Sequence, residues 1–233
     1  MRNIQVLVVL MGVLASVPVL GATLPELEGL FEQGKYQEVA QEASKLGGSE
    51  ALALASKAAA FYAIYQAQGD TEKREWFKRA EELARRAIQL DPKNPRAYMA
   101  LGRALGRLAE YANLFSQAAL ANQIRQAFEK AIELDRSYPE PKVGLALWHA
   151  QLVAKKLGFV FGARADRVEP LMDEALSLQP NRIIFHVEYA RAMVLLGKKD
   201  KAKALLEKAL SLPVKTAEDK YEQEHARKLL GEL

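Results

Sequence analysis

Apolar residues recur three and four positions apart along most of the chain after residue 23, with polar residues between them. That spacing places the apolar side chains on one face of successive helices. Trp76, Phe77, Ala80, Leu83, Ala84, Ala87 and Ile88 keep it along a helix predicted from about Glu72 to Leu90. The helix ends at Asp91, because Pro92 supplies no N–H and disfavours a helical residue before it. Pro95 opens the next helix, where a missing donor costs nothing, and Tyr98, Leu101, Gly102 and Leu105 share one face of it. Upstream, alanine-rich Ala51 to Gln68 predicts a helix that Gly69-Asp70-Thr71 turns. Leu24 to Leu46 predicts a short helical pair about Gly34-Lys35-Tyr36, and Ser49, after a break at Gly47-Gly48, is positioned to cap the next helix.

The pattern repeats. Ala87-Ile88-Gln89-Leu90-Asp91-Pro92 returns as Ala131-Ile132-Glu133-Leu134-Asp135-Arg136, as Ala175-Leu176-Ser177-Leu178-Gln179-Pro180 and as Ala209-Leu210-Ser211-Leu212-Pro213. Ala87, Ala131 and Ala175 stand 44 positions apart, and Ala209 comes 34 later. Such a period means stacked helical pairs, each burying its apolar face on the next. The extra length of the third unit falls in Gly106 to Asn122, which contains no proline and predicts longer helices rather than a loop. In the fourth unit the connection Lys155 to Asp166 carries Leu157, Phe159, Val160 and Phe161 between glycines. Those residues predict a plug folded under the solenoid, with an entrance for an apolar ligand as the other reading. Thr216-Ala217-Glu218-Asp219 has the form of a capping box that opens a last helix, with Ala226, Leu229 and Leu230 facing inward.

The last unit, with His186, Tyr189-Ala190, Met193, Gly197, Ala202, Leu206, Ala209 and Pro213, resembles the tetratricopeptide (TPR) repeat. Gly106-Arg107-Leu108-Ala109-Glu110-Tyr111, Leu145-Ala146-Leu147-Trp148, Phe159-Val160-Phe161-Gly162 and Leu212 to Asp219 together resemble the regulator of microtubule dynamics family and its bacterial relatives. The order is also similar to TPR partners of periplasmic substrate-binding transport systems. The resemblance implies an all-α, right-handed TPR-like solenoid of about five helical pairs with a C-terminal capping helix. It further implies a non-enzymatic protein, and some relatives are associated with phospholipid held inside the solenoid.

Residues 1–22 change the picture of location. Arg2 precedes an apolar run from Ile4, and Gly21 and Ala22 end it, as in a secretory signal peptide. The alternative is an uncleaved anchor, at the lower length limit for a span. The expected organisation is therefore a signal peptide at 1–22, a repeat domain at 23–215 and the capping helix at 216–233. No cysteine stands after the run, so a lipoprotein is excluded, and the mature chain is expected in the periplasm or outside the cell. That export departs from the eukaryotic relatives, so microtubule work is not expected to carry over. Without its first residues the chain balances 32 basic against 29 acidic side chains, too little to imply nucleic acid.

Catalysis has few candidates. The absence of cysteine removes thiolate chemistry, and His149, His186 and His225 stand apart with no carboxylate at ligand spacing. They read as structural histidines, and neither a metal nor a cofactor is expected. The better candidate is the concave face, which the first helix of each TPR unit lines. Its register selects Arg96, Met99, Arg103 and Arg107 in the third unit, Val143 and Leu147 in the fourth, and Val187, Arg191 and Leu195 in the fifth. Met99 and Arg103 replace the Lys–Asn clamp that some TPR domains use for a terminal carboxylate. An apolar floor with guanidinium groups suits a protein or peptide partner. A lipid or another apolar anionic molecule is the second reading, if the groove closes into a cavity. Membrane association is expected only if the N-terminal segment is retained.

Overall fold

The computed structural model describes residues 22–233, and the expected signal peptide lies outside them. Twelve α-helices and no strand occur among these residues. The pairs are α1 (Leu24–Glu32) with α2 (Tyr36–Leu46), α3 (Ser49–Tyr65) with α4 (Gly69–Leu90), and α5 (Pro95–Ala109) with α6 (Leu114–Leu134). Next come α7 (Glu140–Ala154) with α9 (Val168–Leu178), then α10 (Ile183–Leu195) with α11 (Lys199–Ser211). The short α8 (Gly158–Phe161) lies between α7 and α9, and α12 (Ala217–Gly231) ends the chain. This is the all-α TPR-like solenoid that the repeats imply. No helix of the described residues is long and apolar enough to cross a membrane.

Local signals place the boundaries. Asn94 caps α5 by accepting from the Arg96 and Ala97 N–H groups, with Pro95 at the first helical position. At α12 the Asp219 N–H donates to the Thr216 hydroxyl at 3.2 Å, and the Thr216 N–H donates back to the Asp219 carboxylate at 3.0 Å. Ser49 departs from the expectation. It stands inside α3, donates to the Ala87 carbonyl at 2.8 Å and accepts from the Asn94 amide at 2.9 Å. The hydroxyl therefore ties two helical pairs together instead of capping its own helix.

The pairs pack in two rows. First helices α3, α5, α7 and α10 touch in sequence, and α12 continues that row beyond α10. Phe128 of α6 shows how closely the rows interlock: a Cβ on Gly102 of α5 or on Gly144 of α7 would lie 2.5 Å from its ring. The ring is buried in the core, so a methyl group at either position would have to displace it. Gly144→Ala is expected to lose roughly 1–3 kcal/mol from overpacking, outweighing the better helix propensity of alanine. In urea unfolding, Phe128→Leu should recover most of that loss in the double variant. Additive losses would contradict the packing.

The connection after α7 is half plug and half projection. Leu157 and Phe161 pack against the core, while Phe159 is 100% and Val160 66% exposed. The expectation of a buried plug is corrected for these two residues, because α8 is one turn long and can face the body on one side only.

Candidate ligand-binding lumen

Curvature of the inner row brings α12 back towards the start of the chain. Tyr221 stacks on Tyr65 of α3 with ring centroids 4.8 Å apart, and the Tyr65 hydroxyl donates to Glu222. Gln66 donates to the Gly34 carbonyl at 2.8 Å, and a Cβ on Gly34 would sit 2.7 Å from that of Ala217. Gly34 has φ of +82°, so the α1–α2 turn needs glycine for both conformation and closeness. The terminal helix therefore does more than cover the end of α11. It narrows the concave groove into a lumen.

Two chambers share this lumen. One, of about 150 Å³, has an apolar floor of Met99, Ile124, Phe128, Val143, Leu147, Trp148, Ile184 and Phe185. The other, of about 270 Å³, is polar and includes Glu28, Glu50, Arg96, Tyr138 and Thr216. Lys57, Arg103, Glu140, Arg182 and Glu218 line both. Arg182 and Glu218 pair at 2.6 Å, and burial pushes the Glu218 carboxyl up against the pull of Arg182. Among the described residues, Lys57 and Arg103 have no carboxylate partner. Instead the Lys57 ammonium lies 4.4 Å from the Phe31 ring centre, and the Arg103 guanidinium lies 5.1 Å from that of Phe61. Burial first, and Arg103 next, lower Lys57 to about 8, while Glu218 and Glu140 oppose the change. One oxygen of Glu140, Oε2, is buried without a hydrogen bond.

The predicted residues divide. Met99, Arg103, Arg107, Val143, Leu147 and Arg191 line the apolar chamber together. Arg107 pairs with Glu110 at 3.1 Å, and Arg191 pairs with Glu188 at 2.9 Å. Arg96 lies in the polar chamber between Glu28 and Glu50, at 3.5 and 3.4 Å. Of the four arginines expected on the concave face, Arg103 is thus the one without a carboxylate partner among the described residues. Val187 is corrected to a core residue, only 1% exposed, because α10 is apolar on almost every side. Leu195 is 41% exposed on the last turn of α10 and lines neither chamber. Lys57 escaped the sequence reading, although a lone cation in alanine-rich α3 was a visible signal. Glu218 and Arg182 escaped it because their meeting depends on the return of α12.

Two histidines are structural in geometry. His149 Nδ1 accepts from the Arg164 N–H at 3.1 Å, and His186 Nε2–H donates to the Pro180 carbonyl at 2.8 Å. Burial lowers His149 to about 4, with Arg167 adding to the effect and Asp166 opposing it. The folded state then binds fewer protons than the unfolded chain between about pH 4 and 6.5, so stability rises with pH across that window. Acidification from pH 7 to 4 is expected to remove on the order of 2–3 kcal/mol through this group. His149→Gln, which keeps an acceptor, should flatten that part of the profile in urea titrations. An unchanged profile would show that His149 does not carry it. Among the described residues no group of three or more His, Asp or Glu side chains is placed to hold a metal ion.

Stacked helical pairs with a lined inner surface define a tetratricopeptide-type repeat protein. The chain belongs to the family described as regulator of microtubule dynamics protein 1-3, whose model matches residues 24–155. A tetratricopeptide repeat model also matches residues 186–213. Among solved structures, the thermophilic TPR protein TTC0263 of Thermus thermophilus is 19% identical, with a TM-score of 0.66, over 88% of this chain and 97% of that one. MamA is 17% identical, with a TM-score of 0.46, over 88% of this chain and 98% of that one. YrrB, described as a TPR protein with an unusual peptide-binding site, is 16% identical, with a TM-score of 0.45, over 89% and 93% respectively. No curated protein matches the chain.

Proposed function

We propose that this is a non-enzymatic binding protein that holds an anionic amphiphile in its lumen. The observation that carries the reading is the pair Lys57 and Arg103, cations without carboxylate partners at the boundary of an apolar chamber that α12 narrows. The apolar body of the ligand would lie against Met99, Val143, Leu147 and Ile184, and its anionic head against the two cations. A helical peptide, about 10–12 Å across, fits this space less well, because α12 takes up the far side of the groove. We also read the chain as exported. An intact mass beginning at Ala22 or Thr23 would support export, and one retaining residues 1–20 would oppose it.

A fluorescent alkyl phosphate should bind the wild type in titration, and a neutral alkyl alcohol of the same length should bind more weakly. Arg103→Ala is expected to weaken the alkyl phosphate about 10- to 100-fold, the loss of one charge-assisted contact, and to leave the alcohol unchanged. Equal affinity of wild type and variant for the phosphate would remove the head group from this site.

A further inference from the structure

The α7–α9 connection presents an apolar tip that the lumen does not use. Phe159 and Val160 project from α8, while Leu157 and Phe161 on either side of them are held against the body. The tip is firmly mounted. The Ala163 N–H donates to the Gly158 carbonyl at 2.9 Å, Arg125 donates to the Phe161 carbonyl at 3.4 Å, and the Arg164 N–H reaches His149. A side chain at Gly158 would stand 2.7 Å from the Ala163 carbonyl, so the turn closes as tightly as it does only with glycine there.

The surroundings are cationic. Lys155, Lys156, Arg164 and Arg167 flank the tip in sequence, against the single carboxylate Asp166, which Arg164 pairs. Lys155, Lys156 and Arg167 have no carboxylate partner among the described residues. From this placement we propose that Phe159 and Val160 insert into the surface of a membrane containing anionic lipid, with the flanking cations at the head-group level. A lipid surface fits better than a protein because the tip is convex and only two side chains wide. Stable protein interfaces bury about 800 Å² on each partner, several times what these side chains offer. Exposed aromatic residues with basic neighbours are suited to the membrane interface. The inference stands independently of what the lumen holds. It differs from the expectation that only a retained N-terminal segment would reach a membrane.

The chain contains no cysteine, so Val160→Cys supplies a single thiol for a polarity-sensitive fluorophore. This readout is local and separates the tip from any contact made by residues 1–21. With vesicles of phosphatidylcholine and phosphatidylglycerol in a two-to-one ratio, the probe should shift to the blue and be quenched by brominated acyl chains. A probe at Glu75→Cys, exposed on α4, should do neither. Adding Phe159→Asp should weaken the response at the tip about tenfold or more, and Lys155→Glu with Lys156→Glu should weaken it about fivefold or more. Circular dichroism should remain that of the wild type in each case, since these side chains are exposed. Three results would overturn the proposal. They are no blue shift with anionic vesicles, an equal shift at Glu75, or a concentration-dependent shift without vesicles, which would mean that a second copy covers the tip.

Discussion

Removal of residues 216–233 should abolish the stable, soluble fold. Gln223 donates to the carbonyls of Ala209, Leu210 and Leu212 at 3.2, 3.3 and 2.9 Å, so it satisfies the end of α11. Ala226 is buried, Leu229 and Leu230 pack on the core, and Tyr221 covers Tyr65. Deletion would also strand Arg182, whose partner is Glu218. Leaving a buried polar group unmade costs about 1–3 kcal/mol, and each large apolar side chain contributes about 1.5–3 kcal/mol. The combined loss is a large share of the roughly 5–15 kcal/mol that a domain has. Light scattering on the truncated chain should show aggregation, and any soluble fraction should melt roughly 10 °C or more below the full chain. A truncation as soluble and as heat-stable as the wild type would reduce α12 to an appendage and reopen the groove.

The second large effect is expected from Leu147→Asp. Leu147 stands half-buried on α7 and lines the apolar chamber, as Arg103 does. The substitution removes a floor contact worth about 1.5–3 kcal/mol and places a carboxylate among apolar groups that an acyl chain would touch. Binding of the alkyl phosphate should fall by about two orders of magnitude or more. An acidic peptide held mainly by its charges at Arg103 would lose far less. Leu147→Met keeps the floor apolar at similar volume and should bind nearly as the wild type does. Its circular dichroism and affinity separate a lost floor from a damaged fold. If Leu147→Asp remained folded and bound the probe normally, the ligand would lie elsewhere.

Much of this architecture was legible from local signals. The returning Ala-x-x-Leu segments, the prolines after helix ends and the capping box at Thr216 act within a turn or two of the chain. They placed most of the helix ends close to where they fall. The inner register also brought Met99, Arg103, Arg107, Val143, Leu147 and Arg191 to one chamber, because repeat geometry fixes which face of each first helix points inward. The same register misplaced Val187 and Leu195. An all-round apolar helix such as α10 carries no contrast between faces, and Leu195 stands where that helix is ending. The closure by α12 was not legible, since Tyr65 and Tyr221 lie far apart in sequence and the meeting depends on curvature accumulated over five pairs. Pairing of charges was hidden for the same reason. Whether an arginine is free, as Arg103 is, or neutralised, as Arg191 is by Glu188, depends on neighbours in space.

Native mass spectrometry of the protein, purified without detergent, tests most directly whether the lumen holds an anionic amphiphile. The expected result is a mass above that of the bare polypeptide, with the excess lost on denaturation and recovered in an organic extract as a negatively charged amphiphile. The Arg103→Ala and Leu147→Asp chains should each carry less of it. A bare polypeptide mass from a folded sample that also fails to take up added alkyl phosphate would contradict the account. An acidic peptide binding to that same sample would return the concave face to a peptide-binding role.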